Sequence, residues 1–209
     1  MKLPGPDSGI MRFLTRVCDL IFLNAVFTLA CCTVVCLGAA VTALYMTVLA
    51  LTQEGDRSPV RDFLGNLRRS FTASTPAALL LLADITLLAV LGRVLYAETL
   101  LFPPELFVLL CVGAVVLTAV LSYLFPLLAC YENSFPRHLG NAGRLALANL
   151  PVTFFVTAVN LSPVLVSLFL PRLMGPFLAG WLLIGGAAAA WVNLFYLRRI
   201  FERQHGCGR

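Results

Sequence analysis

Charge is scarce in this chain. Only 12% of its 209 residues are Asp, Glu, Lys or Arg, and 60% are hydrophobic. A soluble domain carries roughly 25% charged residues, so this sequence lacks the polar surface that a soluble fold needs. Signals for chemistry are thin as well. The two histidines, His138 and His205, stand far apart. The seven cysteines form no CxxC pair, and Cys31, Cys32 and Cys36 have no histidine beside them. They read as apolar packing residues rather than metal ligands. No phosphate-cradling Walker loop is present, which excludes the ATP-hydrolysing part of a transporter. No serine or cysteine has a base at motif spacing, so the expectation is a non-enzymatic protein without catalytic residues, metal or cofactor. The polar–apolar alternation of a membrane barrel is missing too.

Long apolar runs are what the chain does have. Runs of about 18 or more apolar residues read as membrane spans, and residues 77–97, 106–130, 152–170 and 177–197 are four such runs. A fifth, residues 20–51, is too long for one straight crossing of about 20 residues. It begins with a segment resembling a signal-peptide core, but the apolar run continues well past it and reads as an uncleaved span. The expected fold is all-α, a polytopic transmembrane bundle in one integral membrane domain over residues 1–209.

Where the positive charge lies sets the topology. All but two of the 15 Lys and Arg fall in four segments: before residue 20, between 57 and 69, between 137 and 144, and after 197. The other two are Arg93 and Arg172. By the positive-inside rule the four basic segments are cytoplasmic and the two short loops external. Nucleic acid is not an expected partner, because no basic–aromatic groove accompanies the charge. Both ends of 20–51 then lie inside, so that run crosses twice, turning near Gly38. This predicts six spans near 20–37, 38–52, 76–97, 105–130, 151–170 and 177–197, with both termini in the cytoplasm. The alternative is one long tilted helix and five spans.

A motif occurs twice. Leu64, Gly65, Asn66, Arg69, Ala73 and Pro76 match Leu139, Gly140, Asn141, Arg144, Ala148 and Pro151 at a constant offset of 75 residues. The offset extends back to Cys36, Gly38 and Ala39, which match Cys111, Gly113 and Ala114. We read a parallel duplication of one unit: a span, an amphipathic helix, and a returning span. In the first copy Val60, Phe63, Leu64, Leu67 and Phe71 recur with helical period. The expected amphipathic helices cover about 58–73 and 134–148. In this reading they lie in the headgroup layer, with Phe63, Leu67 and Phe71 toward lipid and Arg61, Arg68 and Arg69 toward anionic phosphates. Pro76 and Pro151 would then open the following spans.

Polar residues inside the spans are few. Asp84 is the one acid well within a span, and Asn24, Asn160 and Asn193 lie at comparable depth. Intramembrane ionisable groups are costly and often functional, so these four form a candidate polar site for solute or protons. Hydrogen-bonded ties between helices are the alternative reading.

At "RVCDLIFLN", "LGAAVTALYMTVL", "YLFPLLACYEN" and "YLRRIFE" the chain resembles the YesL-like family of bacterial integral membrane proteins, from about Arg12 to Glu202. It departs from the family at Thr33 and Cys36, where a proline and a threonine usually precede the glycine. The resemblance implies a domain of unknown function in the bacterial cytoplasmic membrane, whose genes lie near carbohydrate ABC transporters and glycan-degrading enzymes. It therefore implies an accessory role in carbohydrate uptake, with an ABC-type permease as partner, and it transfers no site residue. A small-solute transporter in its own right, or a membrane scaffold or regulator, is the alternative.

Overall fold

The computed structural model describes residues 9–52, 58–96 and 103–204; Lys2, Arg57, His205 and Arg209 lie outside the described residues. Every regular element there is helical, and six helices are long and apolar enough to cross a membrane. The chain is a multi-pass membrane protein of all-α fold.

Helix α1 (Gly9–Cys31) and α2 (Leu37–Leu51) form the first hairpin. The turn lies at 32–36, through a 3-10 turn over Val34–Cys36, rather than at Gly38. Thr33 breaks the helix in an extended conformation, and the outward-facing Val34 and Val35 cap the hairpin. Gly38 has another task. A Cβ placed on it would sit 2.6 Å from the Ala78 Cβ and 2.8 Å from the Ser74 carbonyl oxygen. Only glycine permits that approach of α2 to α3 (Pro59–Tyr96). Helix α2 is the most buried of the six, its small face (Gly38, Ala39, Ala40, Ala43) turned to the core.

Helix α3 corrects a second expectation. The segment expected to be a separate interfacial helix near 58–73 runs without a break into the span, with Pro76 inside one 38-residue helix. At 1.5 Å per residue this helix is about 57 Å long, against a hydrocarbon core of about 30 Å. It exceeds the core by roughly 27 Å, the length of its first five turns. Pro76 removes the N–H that would bond the Thr72 carbonyl. Ser74 and Thr75 donate their hydroxyls to the Ser70 and Phe71 carbonyls in the same turns, and the helix continues.

The second copy does break. After α4 (Pro104–Cys130), the amphipathic α5 (Phe135–Ala148) stands as its own helix, close to its expected bounds, and α6 (Leu150–Phe169) follows. Asn149 leaves the helical region at φ −128°, ψ 51°. Thr153 secures the corner: its hydroxyl lies 2.8 Å from the Tyr123 hydroxyl of α4 and donates to the Ala146 carbonyl at 2.8 Å. The first copy has Ala78 at the position of Thr153 and cannot make this corner.

The last span is one long element. A 3-10 turn (Pro171–Leu173) leads into α7 (Met174–Gly180), a π-helical turn (Trp181–Gly185) and α8 (Gly186–Gln204). The small residues of "GGAAAA" pack inward, with Gly185, Ala187, Ala189 and Ala190 buried. A side chain on Gly186 would meet Phe27 and Asn24 of α1.

Candidate functional site

Three of the four polar residues singled out within the spans, Asp84, Asn160 and Asn193, belong to one series of hydrogen bonds. Asp84 on α3 is buried, and its Oδ2 accepts a hydrogen bond from Thr118 Oγ1 of α4 at 2.8 Å. One turn along α4, Ser122 Oγ donates to the Thr118 carbonyl at 2.7 Å and accepts from Asn160 Nδ2 of α6 at 2.7 Å. Asn160 Oδ1 accepts from Asn193 Nδ2 of α8 at 2.9 Å, and the same amide donates to Tyr45 Oη of α2 at 3.0 Å. A polar chain thus crosses five helices through the middle of the bundle. Asp84 and Asn160, nearly equivalent in the two copies, both reach hydroxyls of α4 set four residues apart.

Asn24 does not join them. Its Nδ2 donates to the Trp181 and Leu182 carbonyls at 3.2 and 2.7 Å, and its Oδ1 accepts from the Ala187 amide at 2.9 Å. These are backbone groups at the π-helical turn, where the regular i→i−4 ladder is disturbed. Asn24 is a structural tie, because a freed backbone group inside a membrane costs several kcal/mol unless it is bonded.

Three buried side-chain atoms have no hydrogen-bond partner among the described residues: Asp84 Oδ1, Asn193 Oδ1 and Thr157 Oγ1. Two of the three belong to the polar chain. Sequence reading missed Thr118, Ser122 and Tyr45, since isolated hydroxyls in an apolar run are common. The one available signal was the four-residue spacing of Thr118 and Ser122, which puts both on one face of α4.

A second polar region lies at the arginine-rich end. A cavity of about 1070 Å³ opens between α2, α3, α4 and α5, lined by Arg61, Asp62, Gly65, Asn66, Arg69, Glu132, Asn133 and His138 among others. Asn66 Nδ2 donates to Thr47 Oγ1 of α2 at 3.2 Å. Gly65, Asn66 and Arg69 of the first motif copy line this cavity; Gly140, Asn141 and Arg144 of the second do not. No member of the polar chain lines it either.

This geometry corrects the lipid-facing assignments. Phe63 is fully buried within the protein core, and Leu67 packs against that core; α3 stands against α2 and α4 instead of lying flat, so this face meets helices. Phe71 is partly exposed, as is Arg68. Arg61 and Arg69 line the cavity while remaining exposed. In α5 the position equivalent to Phe63 is His138, also buried. Burial holds the His138 imidazole below its ordinary value of 6.5, opposed by a hydrogen bond to the Tyr131 backbone.

Residues 20–91 match the family described as "Protein of unknown function, DUF624". No curated protein and no solved structure matches the chain. The matched stretch runs from within α1 through α2 and most of α3. It carries Asn24, Tyr45, Asp84 and the α2 and α3 walls of the cavity, and stops short of α4, α5 and α6. The similarity therefore covers one side of each polar region.

Proposed function

We propose that this protein is an accessory component of carbohydrate uptake in the bacterial cytoplasmic membrane, working beside an ABC-type permease. The observation that carries this reading is the separation of its two polar regions. The cavity opens at the arginine-rich end and shares no lining residue with the polar chain at mid-bundle. A solute conductor needs one continuous polar path, whereas a protein that docks or reports needs only a cleft on one face. The match to a family of unknown function over 20–91 is compatible with the YesL-like resemblance, from which the link to sugar uptake comes. The positive-inside rule puts the arginine-rich end, both termini and the cavity in the cytoplasm, where the permease's ATPase subunits lie. Anionic headgroups would surround Arg68, Arg137 and Arg144, all exposed.

Affinity purification in mild detergent, with mass spectrometry, tests it. A permease subunit should co-purify in near-stoichiometric amount, and recovery of this chain alone sinks the reading. One observation favours a transporter instead: Asp84, a carboxylate at mid-bundle with one oxygen unpartnered. In that case Asp84→Asn abolishes solute movement in liposomes with the fold intact. Under the accessory reading Asp84→Asn keeps the Thr118 hydrogen bond, and growth on glycan and partner recovery stay at the wild-type level.

A further inference from the structure

The geometry points to the cavity between α2, α3, α4 and α5 as a binding site for a small phosphorylated polyol: one phosphate beside neighbouring hydroxyls, on a soluble compound or a lipid headgroup. Arg61 and Arg69 lie eight residues apart on α3, about 12 Å along the axis. Both line the cavity, and their long side chains can converge on an anion between them. Neither makes an ion pair among the described residues, although Asp62 and Glu132 line the same space. Guanidinium groups left unpaired in a concave site are matched in shape and charge to phosphate oxygens.

The two carboxylates narrow the ligand. They would repel a polyphosphate or a nucleic acid, but they accept hydrogen bonds from hydroxyl groups, and Asn133 can both donate and accept. One anionic group with several hydroxyls satisfies all of these residues together. The volume is at the upper end of small-ligand sites.

Gly65 gives a handle on this space. Like Gly140, its counterpart at the 75-residue offset, it sits inside a helix with no atom within 4 Å of where a Cβ would be. Unlike Gly140 it lines the cavity, so a side chain placed there would take up part of the open space.

This inference does not depend on the accessory reading, since it concerns the purified protein and needs no partner. The test uses the full chain in phosphatidylcholine nanodiscs, titrated calorimetrically with inorganic phosphate, glycerol 3-phosphate, glucose 6-phosphate and glucose. A parallel arm measures retention of phosphatidylglycerol over phosphatidylcholine by native mass spectrometry. Expected is saturable binding of a phosphorylated polyol, tighter than inorganic phosphate and absent for glucose. Arg69→Gln should weaken it by about tenfold, the loss of one charged hydrogen bond. Gly65→Leu, which places a side chain in the cavity beside Arg61 and Arg69, should abolish it, and Arg68→Gln, outside the cavity, should leave it unchanged. If only phosphatidylglycerol is retained, and Arg69→Gln and Gly65→Leu remove that preference, the ligand is the headgroup. The proposal is overturned if no probe binds in either arm, or if Arg68→Gln weakens binding as much as Arg69→Gln. The latter would mean a general attraction of anions to the basic surface.

Discussion

At the scale of single residues, positions matched by the 75-residue offset carry different side chains in similarly buried places. His138 stands where the first copy has Phe63, and both are buried. The imidazole titrates below its ordinary value because burial disfavours its charged form. The unfolded chain therefore takes up the proton first, and the contribution of His138 to stability is complete above about pH 6.5 and falls as pH drops below it. The thermal midpoint in detergent should be lower at pH 5.5 than at pH 8. His138→Phe, which copies its counterpart, should flatten that dependence although Arg61, Asp62, Arg69 and Glu132 still line the same cavity. An unchanged slope in His138→Phe would assign the effect to those charges. Asp84 and Asn160 show the opposite pattern: a near-equivalent pair that kept one task, a hydrogen bond to a hydroxyl of α4.

Among elements, the two occurrences of the motif fold differently: the first lies within one continuous helix, the second spans two. The difference lies in what holds each proline. Pro76 follows Ser74 and Thr75, whose hydroxyls bond back along the helix; Pro151 follows Asn149, and Thr153 and Tyr123 hold a corner there. The glycines differ likewise. Gly38 is pressed against Ala78, whereas a Cβ on Gly113 would meet nothing within 4 Å. Gly38→Ala should force α2 and α3 apart and cost about 1–3 kcal/mol, the usual range for overpacking. Gly113→Ala should raise stability by up to ~1 kcal/mol through helix propensity alone. Thermal midpoints of the two variants in one detergent check this. Equal shifts would mean that the α2–α3 approach is not as close as described.

For the whole molecule, six apolar helices in series put the start of α1 and the end of α8 on the side of the arginine-rich end and leave the 32–36 turn at the other. Cys32 is exposed in that turn. In a variant retaining only this cysteine, a membrane-impermeant maleimide added to intact cells should label it. A cysteine placed at Arg137, exposed at the opposite end, should react only after permeabilisation. Reversal of the two would overturn the orientation drawn from the arginines. The six-helix count depends on the first hairpin, and the length of the 20–51 run together with basic residues at both its ends already indicated it.

Hydrophobic run length and the placement of arginine determined the solvent, the helical class, the number of crossings and the approximate bounds of α5 and most spans. These are properties of each segment against water and lipid, and they do not depend on which helices are neighbours. Asp84, Asn24, Asn160 and Asn193 were legible for the same reason: a polar side chain in an apolar run stands out whatever surrounds it. Their partners were not. That Asp84 meets Thr118, and that Asn24 ties the π-helical turn 157 residues away, follows from which helix faces touch. So do the burial of Phe63, the uninterrupted course of α3 past Pro76, and the role of Gly38 as a contact rather than a turn. An amphipathic face is equally satisfied by acyl chains or by another helix, because both remove apolar surface from water. Only the packed tertiary structure decides between them, and here it chose the protein.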